Sequence, residues 1–193
     1  MNGDPSISSF YITDEYYRRL VADFADWQKD EREVHDLALR DAVTRLLNKE
    51  ARLLEERAYE AWLGLYAPEC LYWVPATVER GDPRREIAVA FDDRRRLEDR
   101  VFRLKSEFAW SQQPRSRTTR LVSNVAVFAA ADPSVLMVRS SFLVTEFQAG
   151  DFRTYTGWSA HRLRDTRTSF QVLVKQVNLI DCDQNLRNPS IIL

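Results

Sequence analysis

The sequence predicts an α+β fold in which helices come first and a strongly curved antiparallel sheet, wrapped around those N-terminal helices, follows. In the first half of the chain, apolar residues recur three or four positions apart, which is helical spacing. From Ser116 onward they recur at every second position, in long segments that short turns separate. Strands joined by short turns are typical of an antiparallel meander.

The helical half contains several elements. The first is predicted after Thr13, with acidic residues at its positive N-terminal end. The strongest pattern is one apolar stripe formed by Leu39, Val43, Leu46, Leu47, Ala51 and Leu54. A short helix is then expected to end at Pro68, because proline cannot continue the hydrogen-bond ladder. A further helix is predicted after Asp92 or Asp93 as N-cap, with Leu97, Val101 and Leu104 inward.

The strand half begins after a short strand, "LYWVP". Its four long segments are "RTTRLVSNVAVFAA", "VLMVRSSFLVTEFQ", "FRTYTGWSAHRL" and "TSFQVLVKQVNLID". In the first segment, Leu121, Val125 and Val127 are expected on one face and Arg120, Asn124 and Phe128 on the other. A sheet with one apolar face must cover it, so the helices are expected across the concave side. We expect an N-terminal arm and helix over 1–33 and a single domain over 34–193.

Composition and charge exclude several classes of protein. The 193 residues carry a net charge of −1, which gives no basic excess for an electrostatic grip on nucleic acid. Two cysteines and two histidines, all far apart, lack the spacing of a zinc or iron–sulfur site. No segment has the apolar length of a membrane span or the pattern of a signal peptide. We therefore expect a cytoplasmic protein.

A cone made by a curved sheet could hold an acid as general base. The candidates are Glu50, Glu55, Glu56, Asp92 and His161. Adjacent Glu55 and Glu56 would point about 100° apart on a helix and could not share a pocket. Glutamates four apart could, but the neighbouring arginines favour ion pairs instead, and no partner that would shift a carboxyl pKa is evident. For His161 we favour a structural role.

Arginines and the last residues of the chain suggest a surface that meets another protein. Arginines crowd the helix after Asp93, and others follow at 115, 117 and 120. They could form a solvated face paired with Glu98 and Asp99, or an interface, where arginine and aromatic residues are enriched. The segment "NPSIIL" is apolar enough that we expect it to dock onto something. Composition does not choose between surface and interface.

Four segments in order resemble the small (β) subunit of aromatic-ring-hydroxylating dioxygenases, the multi-component Rieske non-haem iron oxygenases of bacterial aromatic catabolism. They are "EARLLEERAYEAWLGLYAPECLYWVPA", "AFDDRRRLEDRVFRL", "PRSRTTRLVSNVAV" and "NPSIIL". The resemblance runs from Val34 to Leu193 and leaves residues 1–33 outside it. It implies a cystatin-like cone that supports an α subunit in cis-dihydroxylation of an aromatic compound.

The resemblance also implies partners and cofactors. The β subunits would form a trimer under an α trimer in an α3β3 hetero-hexamer. The α subunit would carry a Rieske [2Fe–2S] cluster and mononuclear Fe(II), fed from NAD(P)H through a reductase and other electron-transfer components. No cofactor and no catalytic residue are expected in this chain.

We predict subunit contacts from the type and clustering of the residues. The candidates are Arg94, Arg95, Arg100, Arg103, Trp110, Arg117, Arg120 and Asn124. Two other functions remain open on the sequence alone. One is a stand-alone cone-fold isomerase or dehydratase that uses a cavity carboxylate or His161. The other is a homodimeric binding module of the same fold.

Overall fold

A curved sheet of six strands organises the described residues, in the order β2-β1-β6-β5-β4-β3. The structure is a computed structural model and describes residues 11–78, 82–105, 114–186, 188 and 190–193. The helices are α1 (Asp14–Phe24), α2 (Leu37–Glu55), α3 (Tyr59–Leu63) and α4 (Arg94–Lys105). The strands are β1 (Tyr66–Pro75), β2 (Ala88–Asp93), β3 (Arg117–Ala129), β4 (Val135–Gln148), β5 (Asp151–Asp165) and β6 (Phe170–Leu179).

The predicted meander is confirmed. Strands β3 to β6 pair in sequence order and antiparallel, with Val144 opposite Tyr155 and His161 opposite Lys175. Strand β1 then lies parallel to β6, and β2 closes the far edge antiparallel to β1. The α+β class and the cone fold are therefore as the sequence predicts.

Side-chain caps fix where the helices begin. The Thr13 hydroxyl accepts the N–H of Tyr16 at 3.3 Å at the start of α1. Asp36 caps α2 by accepting two backbone N–H groups, at 2.8 and 3.1 Å. Asp93 accepts the N–H of Arg96 at 2.8 Å, which confirms the predicted cap of α4.

The sheet has helices on both faces. Successive residues of a strand point to opposite sides, and β1 separates two apolar clusters in this way. Tyr72 and Val74 belong to the cluster that contains α2, α3 and α4. Leu71 and Trp73 pack instead in a second cluster with α1. Helix α1 therefore packs on the face of β1 and β6 opposite the one that α2, α3 and α4 cover.

Two local predictions are wrong. Pro68 does not end a helix, because α3 ends at Leu63 and Pro68 lies within β1. It is exposed at an irregularity between Tyr66 and Leu71, where a residue without an N–H costs no ladder hydrogen bond. The regular alternation predicted through β3 is broken at Asn124, whose φ of 52° accompanies a register shift in the pairing with β4.

Candidate functional site

A buried carboxylate lies at the centre of the cone. Glu50 of α2 is 4% exposed and uses both of its oxygens. Oε1 accepts from Trp62 Nε1 at 3.2 Å and from the Tyr66 hydroxyl at 2.9 Å, and it lies 3.0 Å from Lys175 Nζ. Oε2 lies 3.3 Å from Nε2 of His161. We call these five residues the cone cluster.

Helix and strand periodicity explain how the cone cluster assembles. The buried positions of α2 are 43, 47, 50 and 54, so Glu50 occupies a position of the apolar stripe. His161 and Lys175 are directly paired across β5 and β6, and cross-strand partners project from the same face of a sheet. The wall of the sheet therefore presents both nitrogens to the inward face of α2.

The cluster shifts the pKa of each of its titratable members. Burial alone would raise the pKa of Glu50, but Lys175 and His161 outweigh burial and hold it well below its usual range. Burial lowers the pKa of His161, and the bond to Glu50 offsets only part of this effect. Burial also lowers the pKa of Lys175. Burial and the Glu50 charge raise the pKa of Tyr66 well above its ordinary value. The chemistry of the site is thus that of an ionised carboxylate held by donors beside a neutral imidazole.

A small cavity adjoins the cone cluster. Its volume is about 30 Å³, and its walls include Arg120 of β3, Ser140 of β4 and Ser159 of β5 beside Glu50, His161 and Lys175. Two solvent-inaccessible nitrogens, Nδ1 of His161 and Nε of Arg120, have no hydrogen-bond partner within the described part of the chain. The cavity is partly open and its lining is mostly apolar, with these polar groups among its walls.

A second buried acid lies toward the other end of the sheet. Glu146 of β4 is 0% exposed and accepts from the Tyr155 hydroxyl at 2.9 Å and from Asn188 Nδ2 at 2.6 Å. Arg153 lies 3.7 Å from the same carboxylate. Glu146 thus ties β4 and β5 to the segment after β6. Glu146 is not among the residues predicted from the sequence, and its inward position in β4 is the signal that could have revealed it.

The apolar segment Ile191–Leu193 docks onto its own chain. All three residues are buried in the cluster of α2, α3 and α4. The Tyr72 hydroxyl accepts the N–H of Leu193 at 2.9 Å and lies 3.3 Å from its carbonyl oxygen, while Arg120 donates to the carbonyl of Ile192 at 2.6 Å. The sequence correctly indicated that this segment is covered, and the structure shows that its own core covers it.

The structure brings together two of the predicted catalytic candidates and leaves the others apart. Glu50 and His161 meet in the cone cluster, so the expectation that no pKa-shifting partner exists is wrong for Glu50. Glu55 accepts the backbone N–H of Arg120 at 2.5 Å, and Asp92 binds Arg100 at 2.5 Å. Glu56 is exposed at the end of α2. Its expected ion-pair neighbour Arg57 instead donates to the backbone carbonyl of Ser116.

The predicted contact residues fall into three groups. Arg94, Arg100 and Arg120 are half-buried and bind groups of their own chain, among them Glu98, Asp92 and the Ile192 carbonyl. The exposed candidates are Arg95, Arg103, Arg117 and Asn124. Trp110 lies outside the described residues.

The described residues contain neither a cluster of metal ligands nor a membrane-spanning helix. Within the described ranges, no three His, Cys, Asp or Glu side chains are grouped so that they could hold a metal ion. None of the helices described is long and apolar enough to cross a membrane.

Comparisons with known proteins show which proteins this chain is similar to. The family model described as "Ring hydroxylating beta subunit" matches residues 49–184. The 2-halobenzoate 1,2-dioxygenase small subunit of Burkholderia cepacia is 32% identical over 142 residues, which cover 71% of this chain and 86% of that protein. The structure of naphthalene 1,2-dioxygenase with bound indole aligns over 97% of this chain and 98% of that chain, with a TM-score of 0.73 and 21% identity. A protein from Novosphingobium aromaticivorans assigned as a scytalone dehydratase covers 79% of this chain and 91% of its own, with a TM-score of 0.57 and 13% identity, a likeness in fold alone.

Proposed function

Because this chain belongs to the family of ring-hydroxylating β subunits, we propose that it supports an iron-bearing α subunit in an α3β3 aromatic-ring dioxygenase. The accessory role in such a dioxygenase follows from the family. The hexamer, its β trimer and its location in the cytoplasm are our proposal. The observation that carries the subunit role is the match of the family model to residues 49–184, a range that spans all six strands of the sheet.

In the proposed holoenzyme the chemistry takes place in the α subunit. That subunit would hold the Rieske [2Fe–2S] cluster and the mononuclear iron, receive electrons from NAD(P)H through a reductase, and cis-dihydroxylate an aromatic compound. The present chain would supply a rigid base on which the α subunit is positioned. Buried polar networks such as the cone cluster are suited to that role because their hydrogen bonds join one helix to one face of the sheet.

The comparisons favour the subunit over a stand-alone isomerase or dehydratase. The geometry agrees, because both oxygens of Glu50 are engaged by groups of the protein itself. A carboxylate whose pKa is held far below its usual range is a poor general base near neutral pH.

An exposed patch at one end of the sheet is our candidate for the α-subunit contact. The Arg117 guanidinium lies 5.0 Å from the centre of the Phe147 ring, and the rings of Phe147 and Phe152 are 4.8 Å apart. Phe152 is 73% exposed. Arginine and aromatic side chains dominate binding energy at many protein interfaces. We call Arg117, Phe147 and Phe152 the arginine–phenylalanine patch.

Co-expression tests the function and the patch together. With an affinity tag on the α subunit alone, we expect this chain to co-purify and the pair to oxygenate an aromatic substrate when reductase is added. Arg117→Ala combined with Phe152→Ser should weaken co-purification. Arg167→Ala is the control, since Arg167 is also exposed but lies in the turn at the opposite end of β5. If the patch variant co-purifies as well as the unaltered chain, the arginine–phenylalanine patch is not part of the interface with the α subunit.

A further inference from the structure

The cone cavity has an unequal balance of charge. Glu50 is its one carboxylate among the described lining residues, and Lys175 lies 3.0 Å from it as a direct ion-pair partner. Arg120 adds a second cation to the same walls. Within the described residues the Arg120 guanidinium forms no ion pair, and Glu55 binds the backbone N–H of Arg120. Among the lining side chains, two cations, Lys175 and Arg120, therefore accompany one carboxylate, Glu50.

Unpartnered polar atoms face the same space. His161 is 2% exposed, and its Nδ1 has no partner among the described residues, although Nε2 is engaged by Glu50. Arg120 uses one terminal nitrogen for the Ile192 carbonyl, whereas its buried Nε is unpartnered within the described ranges. Buried polar groups are nearly always hydrogen-bonded, and a buried charge is costly unless it is paired. The Arg120 Nε–H thus calls for an acceptor in the cavity, and so does His161 Nδ1 once that nitrogen carries a proton.

The size of the cavity restricts what that acceptor can be. A volume of about 30 Å³ exceeds the space that one water needs and suits a small ion, but not an aromatic molecule. Ser140 and Ser159, both buried, add hydroxyl donors to the walls. We propose that the cone interior is a binding site for a small monovalent anion, such as a halide or formate, held between Arg120 and His161.

Binding would couple to a proton on His161. With Nε2–H directed at Glu50, a neutral imidazole offers only a lone pair at Nδ1, so the anion enters with a proton at that atom. The charged groups facing the imidazole are Glu50 from α2, Lys175 from β6 and Arg120 from β3. Strand β4 lines the cavity with one polar side chain, Ser140, and no charged one. Affinity should therefore rise as pH falls. This site is separate from the subunit role and does not depend on it.

Thermal unfolding of the full chain at constant ionic strength tests the site. Bromide and formate should each raise the Tm with saturation, whereas gluconate, which is too large for the cavity, should not. The bromide effect should be stronger at about pH 5.5 than at about pH 7.5, on either side of the ordinary histidine pKa, and His161→Gln should remove that difference. Equal shifts in all three salts would overturn the proposal.

Variants of one strand give the matched comparison. Arg120→Gln keeps an amide donor for the Ile192 carbonyl but removes the charge, so the bromide effect should be lost. Arg117→Gln, an exposed position on the same strand and outside the cavity, should retain it. A bromide effect that survives Arg120→Gln would contradict the site. If Arg120→Gln does not fold, anomalous diffraction from crystals of the unaltered chain in bromide decides: a peak beside Arg120 supports the site, and water alone in the cavity overturns it.

Discussion

Oε2 of Glu50 and Nε2 of His161 lie 3.3 Å apart inside the cone, although 111 positions separate the two residues along the chain. One belongs to the helix that fills the cone and the other to the sheet that forms its wall. With Lys175 they constitute a buried charge cluster whose geometry exists only when helix and sheet are docked. The stability of the fold should therefore respond sharply to changes at these positions.

Removing the carboxylate should be strongly destabilising. Glu50→Leu leaves the Lys175 ammonium buried without its partner, and breaking a buried ion pair on one side typically costs about 3–5 kcal/mol. Urea unfolding should show this loss in the free energy of unfolding. Glu56→Leu, an exposed position at the end of the same helix, should change it by less than about 0.5 kcal/mol. Similar losses in both variants would contradict the role given to Glu50.

His161 should make stability depend on pH. Burial lowers its pKa in the folded state, whereas in the unfolded chain the pKa is about 6.5. Between those two values the unfolded chain binds more protons, so stability rises with pH in that window and falls as the pH drops below about 6.5. Glu50 adds a further loss at lower pH, because its folded pKa is below the unfolded value of about 4.3.

The sequence contains only two histidines, which gives a direct control. His161→Gln should flatten the slope of unfolding free energy against pH between about pH 5 and 6.5, the range just below the ordinary histidine pKa. His35→Gln should leave the slope intact, since His35 is exposed. If His35→Gln flattens the slope and His161→Gln does not, the pH dependence does not come from His161.

Gly157 allows two strands to approach closely. A Cβ at this position would lie 2.0 Å from the backbone oxygen of Asn178 on β6. Backbone cannot yield as a side chain can, so we expect Gly157→Ala to cost about 3 kcal/mol or more, at or above the upper end of ordinary overpacking. Gly150→Asn, in a turn where a Cβ meets nothing within 4 Å, should cost less despite its φ of 88°. Thermal unfolding measures the stability of both variants. If Gly157→Ala is as stable as the unaltered chain, β5 and β6 can move apart at little cost.

The Tyr72 hydroxyl should anchor the final segment. Tyr72→Phe removes the group that binds the backbone of Leu193 and leaves that buried N–H unsatisfied, at a cost of about 1–3 kcal/mol. Hydrogen exchange should then speed up at residues 191–193. Tyr59→Phe, at a half-buried tyrosine of α3, is the comparison and should leave exchange there unchanged. Unchanged exchange in Tyr72→Phe would mean that apolar packing alone holds the segment.

Periodicity alone predicted much of this fold. The four long strands, the stripe of α2 and the Asp93 cap all follow from local spacing and capping chemistry. The interruption of β3 did not, because Asn124 accepts a left-handed backbone that an alternation pattern does not mark. The second face of the sheet was missed for a related reason. Strands β1 and β6 are buried on both sides, so their pattern does not reveal which helix covers which face.

The cone cluster could be foreseen only in part. Glu50 interrupts an apolar helical stripe, and an acid at such a position indicates a buried partner. Which partner it finds depends on the pairing of β5 with β6, which aligns His161 with Lys175. The pairing of β5 with β6 shifts register between Arg162 and Leu163, next to this aligned pair. No local sequence pattern encodes such a shift.

Native mass spectrometry after co-expression with the α subunit tests most directly whether this chain is one subunit of a hetero-oligomeric dioxygenase. The predicted result is a single complex whose mass equals three α subunits plus three copies of this 22.6 kDa chain. A monomer or homodimer of the chain, with the α subunit assembled separately and fully active without it, would contradict the account.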